Sequence, residues 1–178
     1  MRAHAVIAHS ALAAVLAALF AAAPVSAKEG GFSTGNVQLL QGWNFHDNLL
    51  GTDTPDGKMT TITLNYFGTW AFGDNFAFVD FYRGQFSDGS QAKLYAEWHP
   101  RLFLDQVFGV KGVGLFRHWG VAAEVNQAQG FYAYLAGAGL DLDIPGFAVA
   151  GLNFYYRYDN FNYSTWQLSP FWTVPFSI

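Results

Sequence analysis

Apolar and polar residues alternate along eight segments of this 178-residue chain. In the clearest segment, Met59–Trp70, the apolar residues Ile62, Leu64 and Tyr66 alternate with the polar residues Thr61, Thr63 and Asn65. Successive side chains of a strand point to opposite faces, so this period predicts β-strands. The eight predicted strands are Asn36–Phe45, Met59–Trp70, Asn75–Phe86, Gln91–His99, Arg117–Asn126, Phe131–Asp143, Ala148–Tyr158 and Tyr163–Val174.

The composition indicates that one face of these strands meets lipid. Charged residues make up 12% of the chain, against roughly 25% in ordinary soluble domains. The most continuous apolar stretch after residue 27 is Phe131–Leu140, well short of the roughly 18 residues of a spanning helix. Backbone polar groups in lipid must pair internally, so we expect an all-β fold, a transmembrane antiparallel up-and-down β-barrel. A soluble β-sandwich would also alternate, but it would carry charge on its outward face.

The N-terminus predicts export. Arg2 precedes an alanine-rich stretch over residues 11–23, and the sequence Pro24-Val25-Ser26-Ala27 follows. A basic start, an apolar centre and a small-residue cleavage site define a secretory signal peptide. We therefore expect a cleaved signal peptide over residues 1–27 and one outer-membrane barrel domain over residues 28–178. The alternative is a buried alanine-rich helix.

The connections differ in polarity. Ala71–Asp74 and Ile144–Gly146 form tight turns, whereas four connections are polar: 46–58, 87–90, 127–130 and 159–162. Outer-membrane barrels keep short turns on the periplasmic side and longer loops outside. With alternating strand directions, this places all four polar connections outside. Pro100–Leu115 is then the longest periplasmic connection.

Several motifs resemble one family. His99-Pro100-Arg101-Leu102-Phe103-Leu104-Asp105 is similar to a segment that follows the fourth strand in nucleoside-specific channels of Tsx type, which include OmpK-like porins. Gly137–Leu142, Gly151–Tyr158 and Trp166–Phe176 resemble later strands of that family. The motifs follow the family's order over about Asn36 to Phe176, nearly all of the predicted mature chain.

The resemblance implies a porin whose narrow lumen passes nucleosides or similar small solutes by passive diffusion. It also implies external loops that serve as phage or colicin receptors. The family barrel has twelve strands and this sequence predicts eight, which is the pattern of a C-terminally truncated member. An eight-stranded barrel could close, but side chains would fill its interior.

A nucleoside pore needs aromatic faces that stack on bases and polar groups that bind sugar hydroxyls. The side of the strands predicted to face the lumen offers both. The candidate solute-binding residues are Tyr155, Asn153, Tyr95, Tyr82, Glu97, Asn65, Gln167 and Arg157. Asn153 and Tyr155 lead this set because they lie on a family-like strand. Alternatively, these side chains only fill and hydrate the interior.

Other functions have weaker support in the sequence. The net charge of −4 argues against nucleic-acid binding. The chain has no cysteine, and spacings such as His-x-x-x-His are absent, so we predict no metal and no cofactor. No serine and histidine share a strand face near its end, so we predict no catalytic residues. Two alternatives stay open. One is a non-conducting structural or adhesive barrel. The other is a lipid-acting barrel enzyme, which loss of lipid turnover in a His118→Ala variant would favour.

Overall fold

The computed structural model describes residues 31–46 and 53–176, which form one sheet of eight antiparallel strands. The strands are β1 (Ser33–Gly42), β2 (Met59–Trp70), β3 (Gly73–Gly84), β4 (Ala92–Phe103), β5 (Phe116–Ala128), β6 (Phe131–Leu142), β7 (Val149–Asp159) and β8 (Tyr163–Thr173). The predicted signal peptide and residues 47–52 of the first polar connection lie outside the described residues.

Each strand pairs with the next along the chain, in the order β1 to β8. The prediction of eight antiparallel up-and-down strands is therefore confirmed. The alternating directions place the four polar connections at one end of the sheet. Among the described residues, β1 pairs only with β2 and β8 pairs only with β7, so the sheet has two free edges.

The fourth strand is longer than the sequence predicted. β4 continues through Pro100 to Phe103, so the start of the predicted connection Pro100–Leu115 is strand. Pro100 pairs with Asn75 of β3, while the pairing with β5 is interrupted between Trp98 and Arg101. Proline lacks an N–H donor, so β4 tolerates it where one of its two ladders is broken.

A short helix, α1 (Leu104–Phe108), follows β4 and lies against β5. Asp105 is 2% exposed; it accepts a hydrogen bond from the Trp119 amide and contacts His118 Nδ1 at 2.9 Å. Burial opposes ionisation, but these contacts hold the pKa of Asp105 below its ordinary value of 3.8. The carboxylate therefore stabilises this connection at neutral pH, and the contribution is lost only as pH falls through the lowered pKa.

In the part of the chain that the structure describes, no helix could cross a membrane.

The sheet is strongly curled toward one face. Four strand spacings separate β4 from β8, about 19 Å in a flat sheet. Yet Arg101 Cζ of β4 lies 4.7 Å from the centre of the Phe171 ring of β8. Gly137 and Gly139 leave room on the inner side of β6, where a Cβ at Gly139 would meet Asn153 Oδ1 at 2.9 Å. We call the face that carries Arg101 and Phe171 the concave face.

The two faces reverse the polarity of an ordinary soluble protein. The large apolar side chains most exposed on the convex face of the strands are Val37, Leu39, Trp166, Leu168 and Trp172, between 60% and 74% exposed. All but one of the buried polar side chains of the strands lie on the concave face: Thr61, Asp74, Arg101, Glu124, Asn126, Asn153 and Asp159. The exception is Gln127, on the convex face near the end of β5. Exposed apolar area on this scale indicates contact with something other than water.

The concave face as candidate functional site

An ion network crosses the middle of the concave face. Arg101 donates from Nε to Asp74 Oδ1 at 2.8 Å, from a second nitrogen to Asp74 Oδ2, and from the third to Asp141 Oδ1 at 2.5 Å. Its guanidinium also lies over the rings of Phe103 and Phe171. A single arginine, 8% exposed, therefore joins β3, β4, β6 and β8.

A second cluster lies on β4 and β5. His99 Nε2 is 2.7 Å from Glu97 Oε2, and His99 Nδ1 is 3.3 Å from Glu124 Oε2. Asn126 Nδ2 donates to Glu124 Oε1 at 2.9 Å, and the Tyr95 hydroxyl donates to Glu97. Glu97 and His99 meet because residues two apart share a strand face. The sequence analysis predicted no metal because spacings such as His-x-x-x-His are absent. It did not consider potential ligands that strand pairing brings together.

A third group of polar contacts joins β7 and β8. Arg157 donates from Nε to Asp159 Oδ2 at 2.8 Å and from a terminal nitrogen to Gln167 Oε1 at 3.0 Å. Gln167 in turn donates to Ser169 Oγ at 2.9 Å. These contacts place a polar, half-buried surface beside the free edge of the sheet.

All eight candidate solute-binding residues lie on the concave face, as the strand register shows. Six of them are half-buried: Asn65, Tyr82, Tyr95, Glu97, Arg157 and Gln167. Tyr155 and Asn153 are 0% and 7% exposed, respectively. Tyr155 packs with Ala122, Ala133 and Leu135 in a small apolar core. The half-buried residues are therefore better placed to meet a solute than the two leading candidates.

Aromatic rings form a row near the end that carries the polar connections. Tyr95 lies 5.8 Å from Phe78 and 6.4 Å from Phe131, measured between ring centres. Phe131 stacks on Phe161, which follows β7, at 5.3 Å. We call Phe78, Tyr95, Phe131 and Phe161 the aromatic row. Its rings and the adjacent Glu97 carboxylate offer stacking and hydrogen bonding in one place.

Sequence reasoning missed Arg101 and Asp74 as interior residues. It ended the fourth strand at His99, which placed Arg101 in a connection. A usable signal was present, because Lys93, Tyr95, Glu97, His99 and Arg101 continue one polar alternation through the proline.

The contacts of His118 do not form a nucleophilic dyad. Its polar partners in the described chain are Asp105 and Gln106, and its ring stacks on Phe103 with centres 5.0 Å apart. No serine is among these partners. The contacts fasten α1 to β5.

Comparisons with protein-family models, with characterised proteins and with solved structures found no match for this chain.

Proposed function

We propose that this chain forms the wall of an outer-membrane channel for passive diffusion of nucleosides or similar small solutes. The observation that carries the proposal is the reversed polarity of the sheet. Trp166, Leu168 and Trp172 project outward and are more than half exposed, whereas Arg101 and Glu124 are buried on the concave face. An apolar outside and a polar inside are the pattern of a transmembrane barrel.

The strand lengths fit this proposal. The strands have 10 to 13 residues, and a tilted transmembrane strand needs about 9–11. In lipid the free edges of β1 and β8 must also be paired, because unpaired backbone groups are costly there. We propose that β1 and β8 close the barrel by pairing with each other or through further strands.

The concave face and the sequence resemblance support the proposed solute class. The aromatic row supplies ring faces, on which every base can stack. Glu97, Asn65 and Gln167 supply groups that can hydrogen-bond sugar hydroxyls. Weak contacts of this kind let a solute enter and leave, so transport is passive. We assign the polar connections to the cell exterior, where they could also serve as phage or colicin receptors.

We expect Tyr95→Ala to lower nucleoside uptake into proteoliposomes. Base stacking on one ring contributes roughly 1–3 kcal/mol, so uptake at low nucleoside concentration should fall about tenfold. Conductance of small ions should fall less, because ions do not stack.

The matched control is Tyr134→Ala. Tyr134 lies on the convex face and is 47% exposed, so its loss should leave nucleoside uptake near the unmodified rate. Equal uptake by Tyr95→Ala and the unmodified chain would remove Tyr95 from the solute path.

A non-conducting structural or adhesive barrel is the second candidate. Arg101 and Tyr155 are buried on the concave face and occupy space that a solute would need. Eight-stranded barrels have interiors just wide enough for side chains to fill or for one small ligand. Planar-bilayer recordings separate the two functions, because a conducting wall gives discrete current steps. Insertion into the bilayer without current would favour the second candidate.

A further inference from the structure

Glu97, His99 and Glu124 place three potential metal ligands within 4.8 Å of one another on the concave face. The side chains of His99, Glu97 and Glu124 are 22%, 18% and 7% exposed, respectively. The pairing of β4 with β5 brings Glu124 beside the other two. The two carboxylates outnumber the single imidazole, so the cluster carries an excess of negative charge, which a divalent cation would neutralise.

Both ring nitrogens of His99 face carboxylate oxygens. A neutral imidazole has one N–H donor, so it can satisfy only one of these two contacts. The other nitrogen and the carboxylate beside it would then be two facing acceptors. A second proton on the ring, or a cation between the acceptors, resolves this conflict.

Asn126 adds a fourth polar side chain next to the three potential ligands. It lies opposite Glu97 in the register of β4 and β5 and is 4% exposed. Its Nδ2 donates to Glu124 Oε1, which fixes the orientation of the amide. Its Oδ1 is buried and has no hydrogen-bond partner. Asn153 Oδ1 and the Tyr155 hydroxyl are likewise buried without a partner among the described residues. Of these three atoms, Asn126 Oδ1 belongs to the amide that contacts Glu124, so it offers a further oxygen beside the cluster.

We propose that Glu97, His99 and Glu124 bind one Zn²⁺ ion, with Asn126 Oδ1 or a water in the fourth position. Imidazole nitrogen and carboxylate oxygen are both ligands that zinc takes in proteins. An imidazole ligand disfavours Mg²⁺ and Ca²⁺, which prefer oxygen ligands. Ligands in tetrahedral zinc sites lie about 3.3 Å apart, so small side-chain rotations would complete the site. The ion would link β4 to β5 beside the aromatic row, whether or not the sheet conducts a solute.

The test is titration of the purified full chain in detergent with Zn²⁺ alone, after EDTA treatment and dialysis. We expect one Zn²⁺ per chain by calorimetry, unchanged by millimolar Mg²⁺. Glu124→Gln and His99→Gln should each weaken binding at least about tenfold. Asp80→Asn is the matched control, because Asp80 lies on the same face but contacts Thr63 and Tyr82. It should bind Zn²⁺ like the unmodified chain.

Co²⁺ gives a readout that needs no variant. Added to the metal-free unmodified chain, it should produce the intense visible absorption of four-coordinate cobalt, and Zn²⁺ should abolish it. Absence of both Zn²⁺ binding and this absorption would overturn the proposal and leave a second proton on His99 as the explanation. Equal weakening by Asp80→Asn and Glu124→Gln would also overturn it.

Discussion

Replacing Arg101 with leucine is expected to destabilise the fold by about 3–5 kcal/mol, the usual cost of breaking a buried ion pair from one side. The variant leaves Asp74 and Asp141, 6% exposed and half-buried respectively, without their cation. It also removes the guanidinium that lies over Phe171 and so connects β8 to β4. Urea unfolding in detergent micelles, followed by tryptophan fluorescence, measures the loss.

Arg83→Leu makes the same chemical change at an exposed position on the convex face of β3. We expect its free energy of unfolding to stay within about 0.5 kcal/mol of the unmodified protein. Adding Asp74→Asn to Arg101→Leu should recover part of the lost stability, because it removes one uncompensated charge. If Arg101→Leu and Arg83→Leu unfold at the same urea concentration, the network does not stabilise the sheet.

The second large effect is expected for a charge placed in the middle of the convex face. Phe154 is the central residue of β7 and is 47% exposed. If this face meets acyl chains, Phe154→Arg should cost about 2–4 kcal/mol, the penalty for arginine near the bilayer midplane. If the face meets water, the charge itself should cost almost nothing. Unfolding of the protein from lipid vesicles measures the difference.

Two controls isolate the effect of the charge. Phe154 stacks on Trp166 with ring centres 5.1 Å apart, so Phe154→Ala measures the loss of the ring alone. Tyr158→Arg, compared with Tyr158→Ala, places the same charge at the end of β7. There the penalty should fall to about 0–1 kcal/mol. In a lipid-facing surface the penalty depends on the distance from the bilayer midplane. Equal penalties for arginine at positions 154 and 158 would therefore contradict contact of this face with lipid.

Much of the fold could be predicted because alternation and strand length are local properties. The predicted strand Met59–Trp70 begins and ends at the same residues as β2. The two-residue alternation of apolar and polar side chains also predicted which residues share a face of the sheet. The end of β4 was missed because the sequence prediction ended this strand at His99 and assigned Pro100–Leu115 to a connection. Whether β1 and β8 meet could not be predicted, because alternation determines which face a side chain occupies and not how the edges pair.

The candidate site was harder to predict than the strands. Tyr155 was a leading solute-binding candidate, yet it is fully buried among Ala122, Ala133 and Leu135. The burial of a concave side chain depends on how strongly the sheet curls, which strand periodicity does not reveal. The cluster of Glu97, His99 and Glu124 depends on the register between β4 and β5, a long-range property of the chain.

The central claim is that the convex face contacts acyl chains. Tryptophan fluorescence in vesicles of lipids brominated along the acyl chains tests it directly, since five of the chain's six tryptophans, Trp70, Trp98, Trp119, Trp166 and Trp172, lie on that face. We predict that bromination quenches most of the emission, whereas iodide added to the water quenches little. Strong quenching by iodide and none by the brominated lipids, from a protein that stays in solution without detergent, would contradict the account.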